Sequence, residues 1–312
     1  MTGPRRRFAE TAPNLPADRI GGRERIKIDL HCHSSFSAET LKWLPGLVFY
    51  PPLSPVEIYR LAKQRGMSFV TITDHDTIDG CLDLMERLDA PADFMVGEEI
   101  TTRFPEDDTI VHVNVFDIDE EQHREIQRRR QDIYDLVAYL RAIDKLHVLN
   151  HMTWNEQHRP LKSWQIDAML DLFRVFEGIN GTRSIHHNAF TWCATRGRNK
   201  VLVGGSDSHT NRVGTTYSLT EGLTREEVLG NIKAGRVEAA GAFGLEKKLK
   251  EDVVMILKKE MDERLAGSGS PLGRLAFRLL LQVGRSALPL VFRSYRNRQE
   301  ALVRRAHQAL CP

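Results

Sequence analysis

Short apolar runs alternate with stretches of helical period from residue 26 to residue 235, and this rhythm constrains the fold more than any other feature of the chain. The apolar runs fall at 26–30, 68–73, 93–97, 109–116, 147–151, 173–179 and 200–206. The helix-period stretches fall at 54–66, 78–88, 119–145, 160–172, 184–197 and 224–235. Runs this apolar suit strands buried on both faces, as in a mostly parallel sheet clothed by helices. With β/α alternation repeated about seven times, a closed or nearly closed barrel is the natural arrangement.

The rest of the chain reads as appendages to that barrel. Residues 1–25 hold three prolines, three glycines and six arginines without apolar periodicity, the pattern of a flexible leader. The barrel then occupies 26–243. Residues 244–312 form a helical, basic extension, broken by GSGSPLG at 267–273 and Arg-rich beyond it. Within the barrel, residues 39–55 interrupt the rhythm between the first strand and its helix. They carry Trp43, Phe49, Tyr50 and proline punctuation, and read either as a lid or as a loop packed on the rim.

Composition excludes several classes. A chain 41% hydrophobic and 28% charged is globular rather than disordered, and no apolar stretch reaches the ~18 residues of a membrane span. Four cysteines (Cys32, Cys81, Cys193, Cys311) without a CxxC pair make neither a disulfide framework nor a thiolate zinc site, which points to a reducing, cytoplasmic setting.

Histidine placement is the informative feature. Of 12 histidines, six stand out by position: His31 and His33 just after the first run, His75 just after the second, His112 within the fourth, His151 closing the fifth and His209 just after the last. Carboxylates accompany them at Asp74, Glu99 and Asp207. Imidazoles and carboxylates gathered at the strand ends of a barrel are the donor set of a catalytic metal site. Any one of these histidines alone would more readily be structural; six with their acids are not explained by chance.

The ordered set DLHCHSSFS (29–37), ITDHDTIDG (72–80), GEEIT (97–101), His112, Asn150-His151 and GGSDSH (204–209) resembles the PHP family, the polymerase and histidinol phosphatase domain. The resemblance spans about 26–243 and implies a distorted (β/α)7 barrel, here with a C-terminal helical extension, binding two or three divalent metals (Mn, Zn or Fe). It implies a first metal at His31, His33, Glu99 and Asp207, and a second sharing Glu99 with His112 and His151. A third would lie at His75 and His209, with Glu39 replacing the Asp or His found in many relatives. Catalytic roles then fall to Asp74, His75, Glu99, Asp207 and His209, with Asp74 orienting His75 or a bound water. Glu98, on the other strand face, is read as a structural hydrogen-bonding group, and Cys32 as packing.

The implied chemistry is hydrolysis of a phosphomonoester or phosphodiester, with nucleotides or oligonucleotides favoured, by a water that adjacent metals make nucleophilic. No organic cofactor is implied. Arg183, Arg159 and Arg212 are candidate phosphate donors, and His158 a candidate leaving-group acid. Two rivals stand beside this reading: an amidohydrolase-type deaminase or amidase, whose ligand series normally ends in a lone Asp, and a non-catalytic PHP scaffold. The net charge of +2 hides opposites: 269–312 has eight arginines against one Glu, 1–25 has six against three acids, and 26–268 carries −8. The basic ends suit nucleic-acid backbone, an anionic surface or a partner subunit in an oligomer, or else are solvated while the apolar face of 274–295 packs on the barrel.

Overall fold

A computed structural model of the chain describes residues 25–40, 48–155, 157–244, 251–256, 258–259 and 293–310, with Glu39 and Thr40 described by backbone alone. The elements run β1 (Ile26–Asp29), β2 (Glu39–Thr40), β3 (Val48–Phe49), α1 (Pro55–Gln64), β4 (Phe69–Ile72), α2 (Asp79–Arg87), β5 (Phe94–Arg103) and β6 (Ile110–Phe116). There follow α3 (Glu120–Arg129), α4 (Ile133–Ala142), β7 (His147–Leu149), α5 (Ser163–Leu172), β8 (Val175–Asn180), α6 (Ile185–Thr195), β9 (Val201–Gly205), β10 (Thr216–Thr220), α7 (Arg225–Lys233) and β11 (Val237–Gly241). Local sequence explains the starts of helices. Ser54 and Glu57 form a reciprocal capping box at α1, with Pro55 at the first helical position, where its missing N–H costs nothing.

The main sheet has nine strands in the order β11-β10-β1-β4-β5-β6-β7-β8-β9. It is a nearly closed α/β barrel. Closure comes past the strand ends: the Asp207 amide donates to the His31 carbonyl at 2.7 Å, and the His33 amide to that of Ser208 at 2.9 Å. Ile28, Phe69, Met95, Phe116, Val148, Val175 and Val203, one from each of β1 and β4–β9, pack in one cluster that fills the barrel.

The seven apolar runs are β1 and β4–β9, but the alternation is less regular than the sequence implies. No helix separates β5 from β6. They form an antiparallel hairpin turning at 104–109, and β6 is antiparallel to β7 as well. An apolar run buried on both faces carries no sign of its direction, so periodicity could not foresee this. The charged stretch at 119–145 is two helices, because the Asp132 carboxylate caps the Tyr134 and Asp135 amides and starts a new one. Strands β10 and β11, short and half-polar, were not anticipated.

Residues 41–47, Trp43 among them, lie outside the described residues, so of the segment 39–55 the structure places the β2–β3 pairing, buried Phe49 and exposed Tyr50. The tail is more than an appendage. Residues 293–310 are helical and bury Leu302, Val303 and Ala306, the last two in the cluster that holds Ile133 and Phe190. The segment 274–292 lies outside the described residues. Among the described residues no helix is long and apolar enough to cross a membrane.

Candidate metal centre

Eight of the residues singled out above converge at one end of the barrel. His31 and His33 follow β1, His75 follows β4, Glu99 lies within β5, His112 within β6, His151 follows β7, and Asp207 and His209 follow β9. His112 is near the start of its strand, not its end. Because β6 runs antiparallel, its beginning reaches the same barrel end as the C-termini of its neighbours, with Thr101 of β5 opposite His112. On β6, Val111, Val113 and Val115 alternate with His112 and Asn114, so the same period-2 pattern supplies both core and site.

Glu99 is the centre of the arrangement. Its Oε2 lies 3.0 Å from His31 Nε2, 3.2 Å from His33 Nε2 and 3.5 Å from His75 Nδ1. Its Oε1 lies 3.2 Å from His112 Nδ1, 3.2 Å from His151 Nε2 and 2.8 Å from Asn150 Nδ2. A carboxylate offers about four lone-pair sites, fewer than the nitrogens crowding this one. Asp207 Oδ1 completes the group at 3.6 Å from His31 Nε2 and 3.5 Å from His33 Nε2. Four overlapping triads have donor atoms within 4.8 Å of one another: His33, His75 and His209; His31, His33 and Asp207; His31, Glu99 and His151; His75, Glu99 and His112.

The outer ring of hydrogen bonds turns imidazole lone pairs inward. His31 Nδ1 lies 2.9 Å from Glu177 Oε1 and His209 Nδ1 lies 3.2 Å from the Asp207 carbonyl, acceptors that hold the ring proton on Nδ1 in the neutral ring and leave Nε2 facing the centre. His33 Nδ1 pairs with the Ser37 hydroxyl at 3.2 Å. His33 Nε2, fully buried, has no hydrogen-bond partner among the described residues. Rings so oriented aim deprotonated nitrogens at carboxylate oxygens, a repulsion that a ring proton or a metal cation between them relieves. The donor set of imidazoles and carboxylates therefore fits divalent metal ions.

Burial alone would push Glu99 and Asp207 up, but neighbouring charge outweighs it. His31, His75 and His112 hold Glu99, and His31 and Arg183 hold Asp207, well below the usual carboxylate range. Burial pushes His31 down, yet Glu99, Glu177 and Asp207 together keep it well above its ordinary value. The field that retains a proton on His31 is one that favours cations. The backbone is strained here too, with φ of 23° at His151 and 49° at Asp207. Such left-handed residues, costing about 1–3 kcal/mol each, persist where surroundings over-determine them and cluster at functional sites.

Other expectations resolve individually. Asp74 does not hydrogen-bond to His75: its carboxylate accepts from the Ser34 amide and hydroxyl, both at 2.6 Å, and so holds the turn after the His pair. Glu98 points away from the centre and accepts from His123 Nδ1 at 2.6 Å. The buried Cys32 thiol donates to the Thr71 carbonyl at 3.3 Å, and burial pushes it well up, as suits packing. The side chain of Glu39 lies outside the described residues. Of the three arginines, Arg183 alone reaches this group, donating to Asp207 Oδ2 at 3.1 Å. Arg212 is engaged by Asp252 and Glu251, each at 2.8 Å, and exposed Arg159 bonds the Asp107 carbonyl at the β5–β6 turn. His158 pairs with Gln299 of the tail at 3.1 Å.

The sequence reading missed the supporting ring. Glu177 also accepts from the His151 amide at 2.9 Å and from Asn180 Nδ2 at 2.8 Å, while Asn180 and Thr182 donate to Asp207 Oδ2 at 3.1 and 2.7 Å. The one available signal was position, and only for Asn180: it ends β8, where strand-end logic already applied, whereas Glu177 lies in the middle of the strand.

Neither a family model nor a curated protein matches this chain. Solved structures do. A two-domain protein from Bacteroides vulgatus containing a predicted PHP-like metal-dependent phosphoesterase superposes with TM-score 0.51 and 19% identity over 80% of this chain and 73% of that one. An amidohydrolase from Chromobacterium violaceum gives TM-score 0.47 and 16% identity over 68% and 97%. A lesion-specific endonuclease from Pyrococcus furiosus gives TM-score 0.45 and 18% identity over 69% and 57%. At such identities the likeness is one of architecture, and the chain shares the α/β barrel fold of a PHP-like protein.

Proposed function

We propose that the chain is a metal-dependent phosphoesterase. The observation that carries this reading is the division of labour on Glu99, whose Oε2 faces His31, His33 and His75 while Oε1 faces His112 and His151. On this reading Glu99 would be shared between two cations, one that His31, His33 and Asp207 would hold and one that His112 and His151 would hold, with His75 and His209 available to a third. What such ions supply when bound is Lewis acidity toward a phosphoryl oxygen and a nucleophile drawn from water near neutral pH. Glu177 orients His31, and Asn180, Thr182 and Arg183 hold Asp207, so the ligand frame is set before substrate arrives. Arg183, fixed between Asp207 and the Trp154 ring, supplies a cation suited to a phosphate oxygen.

Metal content of the purified chain and turnover of p-nitrophenyl phosphate, its bis-ester and short 5′-phosphorylated RNAs with added manganese test this reading. Two or more metals per chain with hydrolysis of at least one ester is the expected result. Fewer than two metals and no hydrolysis would overturn it.

A further inference from the structure

The tail helix carries a polar edge to the rim of the metal centre. Tyr295, Gln299, Leu302, Val303 and Ala306 recur at the spacing of one helix face, and that face meets the barrel. Its far end is anchored by buried Leu302, Val303 and Ala306 and by the edge contact of His307 with Phe190 at 5.0 Å. Its middle is pinned by Gln299 Nε2 on His158 Nδ1 at 3.1 Å. Its near end presents Tyr295, whose hydroxyl lies 3.2 Å from Trp154 Nε1 and 3.5 Å from Arg183 Nη1.

Both neighbours of that hydroxyl are donors only, so the Tyr295 oxygen accepts from each and its own proton is directed elsewhere. Arg183 lies over the Trp154 ring, 4.1 Å from its centroid, and uses one donor on Asp207 and one on Tyr295 of the five a guanidinium carries. Trp154 in turn touches His151 and His112 edge-on, at 5.0 and 5.7 Å between ring centroids. Donors thus stand unspent at the margin of a group of metal-ligand character, on a support that reaches the ligands directly. Chemistry that answers such a surface is an anionic oxygen.

We propose that Tyr295, contributed by the tail, acts with Arg183 as a specificity subsite that takes the third non-bridging oxygen of a phosphomonoester. This rests on the phosphoesterase reading. A monoester has three non-bridging oxygens and a diester two. Cations held by the Glu99 group would draw on some of these oxygens; the residues that would meet the one left over in a monoester are Arg183 and Tyr295, whereas a diester would offer them an ester oxygen of lower charge. The subsite accordingly selects monoesters, and the tail is part of the active site.

The test compares the full-length chain with Tyr295→Phe, which keeps the ring and removes the hydroxyl. Inorganic phosphate binding is measured by calorimetry, and kcat/KM is measured for p-nitrophenyl phosphate and its bis-ester. A hydrogen bond to a charged group is worth about 1.5–3 kcal/mol, so phosphate affinity and monoester kcat/KM fall about tenfold or more, while the bis-ester changes less than about twofold. Equal loss on both esters, or no loss of phosphate affinity, overturns the proposal. Absence of hydrolysis by the unmodified chain counts against the phosphoesterase reading and not against the subsite, because phosphate binding still reads the subsite: binding weakened by Tyr295→Phe supports it, and no binding to the unmodified chain refutes it. Arg183→Lys, which keeps charge but loses the fork, is expected to weaken phosphate in the same sense.

Discussion

Glu177 Oε1 lies 2.9 Å from His31 Nδ1, and the other oxygen of the same carboxylate accepts the backbone amide of His151 at 2.9 Å. One buried acid on β8 therefore positions candidate ligands that follow two other strands, β1 and β7. Replacing it with an amide keeps the volume but lets the side chain present N–H to the His31 ring and unsettle its tautomer. Losing such an outer partner typically costs 10–100-fold in metal affinity. Glu177→Gln is predicted to lower manganese affinity by about that factor in chelator competition, with the far-UV spectrum unchanged; unchanged affinity would remove Glu177 from the site.

Gly205 is required by the same contact. A Cβ built there meets His31 Cβ at 2.5 Å and Glu177 Oε1 at 2.9 Å, distances no real side chain tolerates. Gly205→Ala must push β9 away from the segment after β1 where the barrel closes. A loss of about 1–3 kcal/mol, the usual cost of overpacking, is predicted in urea unfolding, together with impaired metal binding. Gly230→Ala, where nothing lies within 4 Å of the added methyl, serves as the control.

The three arginines separate by what already holds them. Arg212 is engaged by Asp252 and Glu251, and Arg159 by the Asp107 backbone, whereas Arg183 stands against Asp207 and Trp154. Arg159→Ala and Arg212→Ala are predicted to leave KM for p-nitrophenyl phosphate within about twofold, and Arg183→Ala to raise it at least about tenfold, as loss of a charged hydrogen bond implies. Steady-state kinetics on the three variants decides; a large KM effect from Arg212→Ala would contradict the assignment.

Stability carries a pH signature away from the ligands. His123 is held above its ordinary 6.5 chiefly by its hydrogen bond to Glu98, against the opposing effect of burial. The fold therefore binds this proton more tightly than the unfolded chain does. The stabilisation is complete below pH 6.5 and fades as pH rises through the raised folded value. Urea midpoints of the parent chain and His123→Asn are predicted to differ most at pH 6 and to draw together by pH 9. A gap that widens with pH would reverse the sign.

Much of the fold is legible from local pattern. Seven apolar runs become strands because β-branched and aliphatic residues bounded by turn residues behave alike wherever they occur, and the capping box at Ser54 announces α1 on its own. The direction of β6 is not legible. IVHVNVF reads identically in a parallel or antiparallel ladder, and its reversal brings His112 to the metal end from the beginning of the strand. Nor is the break in the 119–145 stretch, where one aspartate divides a continuous charged periodicity into two helices.

Sequence alone determined the strand and helix rhythm, the donor residues gathered near strand ends and the opposition of acidic body to basic ends, because each is set by residue chemistry at short range. Tertiary structure decided the rest: that two oxygens of Glu99 face different histidines, that Glu177 rather than Asp74 orients a ring, that Arg183 alone of three arginines meets Asp207, and that Tyr295 returns from the tail to join it. Those relationships join residues as much as 146 positions apart in the case of His31 and Glu177. Only the closing of the barrel and the docking of the last helix bring such groups within hydrogen-bond reach, and no local periodicity encodes a contact of that kind.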